Sequence, residues 1–587
     1  MRRNWLAVLL VASLLALSAA AALPGQTPRI AVPGVQLDRP ALAVGLGLYE
    51  IQAPRFSEQA AAKLLPPDLR VIGRSVQQAA LAAVAPRNAV TLFGPSPDRT
   101  MAIYSPANGS LTWFPDLSLG GPIPGPDDAK NIALDWVRKN DLTPAEDGGE
   151  WQIEDVTTLT RQGAGPDAKP EDVLRTARFV RMLDGLPVAG EHSILTVQVG
   201  RGGKVAGAVR DFRPLQRSAR RLQLKAQDQL RQELSRKFDA LVTELKRRNP
   251  EYRAELASTR MIYYEQGGRY LQPALFGRVM ITGPDGIVGA RSLLVSALVQ
   301  TPEPIQERTR PATTTPRETK PRSQAEGPAP DDGYTLELTG LQIERAPLTA
   351  FLVQPDIRYG LYIVRDDSWD WVDDAWDFHT HLTAGNNLLR MFSSPAPKQT
   401  VLDQYFWNHV WLFRDGEGEP DYSPQFVRKV DFAVIEGHGS PYLITTRSNC
   451  CDVIYLNGIP GYGPNSPLGG RTDYVLWKSC HVIPAPPEDA NWPDVWWSMF
   501  KGMRGNYGFC TSMWIDDDIS DNFGLSVGFG APNLSAWFSA VDSCKWNHCC
   551  DLEYGSAVMP CGQENQRIYD YTGLPNPDCL VIWWQHP

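Results

Sequence analysis

Two stretches of the chain deliver a reactive side chain where an apolar run stops. VDFAVIEGHGS (430–440) ends on His438, set between Gly437 and Gly439, and TDYVLWKSCHV (472–482) ends on Cys480 behind Ser479. A thiol is a weak nucleophile until it ionises, and a neighbouring imidazole can take its proton or stabilise the thiolate. Gly439 lets the backbone come close to a substrate carbonyl, and its N–H, with that of Cys480, suits an oxyanion. The small Gly437 and Ser479 leave room for a substrate backbone. Glu436, two residues before the histidine, is a candidate to orient its ring. Lys478 and His481 flank the cysteine with no evident part in this chemistry.

Other readings of these residues stay open at this level. All nine cysteines follow Asn449. An exported chain meets oxidising conditions, so pairing is expected, and an odd number leaves one cysteine over. Cys480 is therefore half of a disulfide or that remaining thiol. His438 is a structural loop histidine or a catalytic base, although its flanking glycines favour the second. His379 and His381 in FHTHLT have no cysteine or carboxylate at ligand spacing beside them, so no zinc site is expected. Asp516, Asp517, Asp518 and Asp521 form a hard-oxygen cluster that suits calcium, or a solvated acidic loop. No other cofactor is expected.

The elements that must position His438 and Cys480 read as strands. Each run is apolar without alternation, as in a strand buried on both faces of a parallel sheet. In open parallel sheets, sites form at the carboxyl ends of neighbouring strands. Such placement brings together two residues that lie 42 positions apart in the chain. IRYGLYIV (357–364) suits a first strand and SWDWVDDAWDFHTHLTAG (368–385) a first helix. DVWWSMFKGMRGNYGFCTSMWIDDD (494–518) reads as helix, glycine turn, strand and acidic loop.

This ordered set resembles the caspase-type cysteine peptidases, the group that includes gingipains, legumains and caspases. Their signature is an apolar block ending in His-Gly and a second ending in a small residue and Cys, matched here by His438-Gly439 and Ser479-Cys480. The resemblance spans about 355–545 and implies a caspase-like α/β domain with three layers and a mostly parallel sheet. It implies a His438/Cys480 dyad and a protein or peptide substrate. Secreted domains with no assigned function are similar too. Lys478 departs from the pattern, as does His481 directly after the nucleophile.

Residues 23–215 are expected to form an α+β region. DDAKNIALDWVRKNDL (127–142) is an amphipathic helix with acids at its positive N-terminus. In 176–215, Asp184-Gly185 and Gly202-Gly203 are hairpin turns between alternating runs. A basic helix over about Ser218 to Arg248 and further strands complete 216–300. Arg181, Gly185, Pro187, Val188, Gly190, Gly203 and Arg210 sit where the propeptide of thermolysin-like metallopeptidases has its pattern. That resemblance covers about 85–215 and implies a module that chaperones and inhibits the enzyme behind it. No H-E-x-x-H zinc motif follows, so the resemblance implies a different partner enzyme.

At the scale of the chain, 587 residues predict several domains. MRRNWLAVLLVASLLALSAAAALPG reads as a cleaved signal peptide over 1–22, which implies a secreted or extracytoplasmic protein without a later membrane span. Residues 301–332 are rich in Pro, Thr, Arg and Glu and read as a disordered linker before a C-terminal domain over 333–587. That domain carries a net charge of −16 against +7 for the remainder, and 14 of the 18 tryptophans. Opposite charge suits docking of the two parts, and nothing global suggests nucleic acid. The expectation is a secreted cysteine endopeptidase with an N-terminal chaperone or inhibitory module. The alternative is a non-catalytic secreted or surface binding protein that retains the fold.

Overall fold

The computed structural model describes residues 46–74, 90–305, 356–363, 371–407, 413, 423–446, 453–513, 518–547, 553–570 and 576–587, apart from short gaps within these ranges. The signal peptide, the linker beyond Ile305, residues 333–355, and Asp516 and Asp517 lie outside the described residues.

The N-terminal lobe begins with β1 (Tyr49–Ile51), α1 (Glu58–Leu64), β2 (Arg70–Arg74), β3 (Thr91–Gly94), β4 (Ala102–Ser105) and β5 (Ser110–Trp113). Helix α2 (Pro126–Lys139) leads into β6 (Glu150–Gly163), β7 (Glu171–Leu183), β8 (Leu186–Gly190), β9 (Ser193–Val199), β10 (Val205–Phe212) and β11 (Leu215–Arg217). Helix α3 (Gln227–Arg248) precedes β12 (Arg253–Glu265), β13 (Tyr270–Gly283) and β14 (Gly286–Ser296).

Helix α2 forms where its pattern predicts. Pro126 starts it, Asp127 and Asp128 occupy its first turn, and Arg138 and Lys139 its last, each favourable to the helix dipole. Its buried Ala129, Ala133 and Val137 pack on Ala177, Phe179, Leu195 and Val197 of β7 and β9. The β7–β8 hairpin turns on Asp184 and Gly185, both at positive φ, as a two-residue type I′ turn requires. The basic helix starts later than its composition suggests, at Gln227. The stretch before it is extended instead: the Ser218 N–H donates to the Leu48 carbonyl, Leu224 forms a bridge with Leu298, and the Lys225 N–H donates to the Ala297 carbonyl.

The C-terminal lobe contains β15 (Ile357–Ile363), α4 (Trp371–Phe392), β16 (Thr400–Trp407) and β17 (Phe432–Glu436), then three short strands, β18 (Gly439–Ser440), β19 (Leu443–Thr445) and β20 (Val453–Tyr455). It continues with β21 (Tyr474–Lys478), α5 (Trp492–Trp497), β22 (Gly505–Phe509), α6 (Ile519–Gly528), α7 (Asn533–Asn547), β23 (Gly555–Pro560) and β24 (Leu580–His586). The spatial order is β16-β15-β17-β21-β22, all parallel, followed by antiparallel β23 and β24. This mixed sheet with helices on its faces agrees with the α/β expectation.

Both faces of β15, β17, β21 and β22 are buried, which explains why the runs do not alternate. Phe432, Val434, Tyr474 and Leu476 face Phe378, Leu382 and Phe523 of α4 and α6. Ala433, Ile435, Val475 and Trp477 face Trp492, Trp496 and Phe500.

The sheet does not stop at β24. Residues Val581–His586 pair antiparallel with Gly163–Thr158 of β6, and the ladder runs on through β7, β9, β10, β5, β4, β3 and β2. One apolar cluster contains both Leu159, Val173 and Leu186 and Trp537, Met559 and Trp583. No helix among the described residues is long and apolar enough to cross a membrane.

Candidate active site

Strands β17 and β21 are adjacent and parallel, with Glu436 opposite Lys478 as their final paired positions. His438 and Cys480 therefore stand at the same height, each two residues beyond a paired strand end. The ladder extends slightly further, because the Gly437 N–H donates to the Lys478 carbonyl at 3.3 Å.

The two turns then touch. A Cβ placed on Gly439 would lie 2.7 Å from the Cys480 carbonyl oxygen, 2.7 Å from the Ser479 Cβ and 3.3 Å from the Cys480 nitrogen. Any side chain at 439 would push the histidine turn off the cysteine turn. The wall beyond is built by β18–β20. The His438 carbonyl accepts from the Thr445 N–H at 2.9 Å, and the Tyr442 N–H donates to the Val482 carbonyl at 3.3 Å.

Cys480 carries a free thiol and is 5% exposed. Its Sγ accepts from the Met513 N–H at 3.4 Å. Burial pushes the thiol pKa up to about 11; the Met513 N–H opposes this and the charge of buried Glu553 adds to it. The thiol is therefore protonated at neutral pH in this state. His438 is half-buried.

The structure explains both neighbours that the motif leaves over. Lys478 and Asp374 of α4 are both 0% exposed, and the Lys478 Nζ lies 2.6 Å from Asp374 Oδ2. The ammonium also donates to Ser520 Oγ of α6 at 2.9 Å. Lys478 thus fastens the end of β21 to both helices on one face of the sheet. Glu436 is buried on that same face, at the end of the neighbouring strand. His481 takes positive φ and donates its N–H to the Thr511 carbonyl at 2.9 Å, which turns the chain sharply after the cysteine. Sequence reasoning missed Asp374, Ser520 and the Met513 amide. Asp374 had a signal: with Ala375, Phe378 and Leu382 it lies on the buried stripe of α4, where a carboxylate needs a buried cation.

The cysteine arithmetic needs correction. Cys561 and Cys579 form a disulfide. Cys480 is not the single thiol left over, because the Cys510 thiol donates to the Tyr554 carbonyl at 3.4 Å. Cys510 ends a buried strand and is held there as a small apolar residue. Cys544 falls within α7, and Cys450, Cys451, Cys549 and Cys550 lie outside the described residues.

The remaining candidates are dispersed. His379 is bonded through Nδ1 to the Tyr359 hydroxyl at 2.5 Å, and burial lowers its pKa to about 4. His381 donates from Nδ1 to the Asp377 carbonyl at 2.9 Å, one helical turn back. Asp518 is buried just before α6, and Asp521 lies 3.8 Å from His381. Among the described residues, no group of three or more His, Cys, Asp and Glu side chains is arranged to hold a metal ion. A cavity of about 740 Å³, lined by Trp113, Phe114, Arg201 and Arg567, lies away from Cys480.

Residues 371–578 match the family model of a domain of unknown function, DUF6345. No curated protein matches the chain. An uncharacterized protein from Eubacterium rectale is similar in structure at 11% identity and a TM-score of 0.28, covering 45% of this chain and 86% of that one. A secreted C11 cysteine protease from Bacteroides thetaiotaomicron, solved with an irreversible peptide inhibitor, is 10% identical, covers 35% of this chain and 66% of that one, and has a TM-score of 0.22. An inactive zymogen C11 protease from Parabacteroides distasonis is 11% identical, covers 56% and 58%, and has a TM-score of 0.14. These likenesses are low; it is the register of β17 and β21 that brings His438 and Cys480 to neighbouring strand ends.

Proposed function

We propose that the protein is a secreted cysteine endopeptidase held in a latent form, with His438 and Cys480 as its dyad. The observation that carries this reading is the pairing of Glu436 with Lys478, which sets both residues two positions past adjacent parallel strand ends. In the reaction, Cys480 Sγ attacks a peptide carbonyl while His438 takes its proton. The Gly439 and Cys480 amides hold the oxyanion. The tetrahedral species collapses to a thioester as His438 passes the proton to the leaving amine. Water, deprotonated by His438, then attacks the thioester, and the acid leaves as the thiol is restored.

Latency follows from the thiol's burial and its pKa of about 11. Activation must expose the buried thiol. The N-terminal lobe serves as intramolecular chaperone and inhibitor, and cleavage at basic residues of the linker over 301–332, such as Arg308, Arg310, Arg317, Lys320 or Arg322, is the trigger. The same buried thiol suits the second reading, a binding protein that keeps the fold without the chemistry.

A peptidyl thiol-reactive probe separates the two readings. After linker cleavage, the probe is expected on Cys480 of the wild type and absent from Cys480→Ala. His438→Ala should slow labelling by roughly 10²–10⁴-fold. Labelling that survives Cys480→Ala, or a wild type inert under every activating condition, sinks the peptidase reading.

A further inference from the structure

We propose that the N-terminal lobe is a permanent subunit, which stays bound to the C-terminal lobe after the linker is cut. Three independent sets of contacts join the lobes. The first is the ladder between β24 and β6, with six residues of each strand in register. The Ala164 N–H adds a bond to the Leu580 carbonyl at 2.9 Å, and His586 Nε2 lies 2.9 Å from the Thr160 hydroxyl. An uncovered β24 would expose a row of backbone donors and acceptors along an apolar strand, an arrangement that invites aggregation.

The second is the common apolar interior. Leu159, Val173 and Leu186 of one lobe share a cluster with Trp537, Met559 and Trp583 of the other. Leu92 of β3 packs with Leu388, Leu389 and Phe529 at the ends of α4 and α6. Interfaces of this kind resemble a single core cut in half, as in obligate rather than transient complexes.

The third is a pair of buried polar ties. The Thr100 hydroxyl donates to the Phe529 carbonyl at 2.6 Å, and the Ser535 hydroxyl donates to the Pro115 carbonyl at 2.7 Å. Separation would strip each carbonyl of its partner and break the seal over it.

The ladder also lies three strands along the sheet from β21, on the far side of β22 and β23. Opening the dyad does not require that this seam part. A cut in the linker therefore leaves every one of these contacts in place. The inference stands apart from whether the dyad is active.

The test uses the full chain with a recognition site for a site-specific protease inserted after Thr314. After complete cleavage, size-exclusion chromatography with light scattering is expected to return one species, holding both fragments at one-to-one stoichiometry, unchanged by dilution or high salt. The fragments should part only in denaturant, together with loss of the near-UV dichroism of Trp537 and Trp583. Elution as two separate folded species overturns the proposal, whatever the probe shows at Cys480.

Discussion

At the scale of single residues, the site depends on what is absent from position 439. The turns carrying His438 and Cys480 approach so closely that one added methyl meets backbone and Cβ atoms at 2.7 Å. Gly439→Ala is expected to cost only about 1–3 kcal/mol of stability. It should slow probe labelling of Cys480 by about a hundredfold, since small displacements of a reacting group cost that much. Labelling rates beside a urea unfolding curve check the split. A variant that labels normally would mean that the approach of the two turns has no part in reactivity. The sequence flagged Gly439 for the close approach of its backbone to a substrate carbonyl; the structure adds that the cysteine turn fills the space a side chain would need. The Met513 amide on the thiol had no trace in the sequence, because any residue supplies an N–H.

At the scale of elements, Lys478 binds β21 to α4 and α6 through a fully buried pair. Its partner could be inferred only by reading two oddities together: a lysine ending a buried strand and an aspartate on a helix's apolar stripe. Removing one member of such a pair leaves an uncompensated charge in the core. Lys478→Met is expected to destabilise the protein by about 3–5 kcal/mol. Lys478→Met with Asp374→Leu should recover most of that loss. Urea midpoints for the single and double variants measure the coupling, and additive losses would contradict it. The strands themselves were legible because a sheet covered on both faces leaves runs without alternation. Their register was not, since apolar runs slide past one another without altering the pattern.

At the scale of the molecule, a titratable contact sits where β8 turns into β9. His192 Nδ1 lies 3.0 Å from Asp211 Oδ1. The Asp211 charge, against burial, raises the imidazole pKa from 6.5 to about 9. Buried Glu265, which accepts from Arg213 at 2.6 Å, adds to the rise. Because the folded value is the higher one, the stabilisation is complete below about pH 6.5 and is lost as the pH climbs through 9. The contact contributes up to roughly 3 kcal/mol at low pH. Melting temperatures of the wild type and His192→Asn are expected to differ at pH 6 and to converge near pH 9.5. Equal gaps at both ends would place the contact's contribution elsewhere. The helix α2 and the hairpins of this lobe could be read locally. Its seam with the other lobe could not, because Thr160 and His586 stand 426 residues apart. Opposite net charge pointed to attraction between the two parts, whereas most of the seam is strand pairing, apolar packing and neutral hydrogen bonds; charge enters it where Asp116 accepts from Asn565 and where Arg161 lies over Trp583.

The continuous ladder through β24 and β6 also constrains how such a chain can change over generations. A recombination event that imports the C-terminal half from a relative brings a foreign β24 against a resident β6, and six cross-strand pairs must fit at once. The two halves should then be inherited together, and substitutions in 158–163 should be answered by substitutions in 581–586.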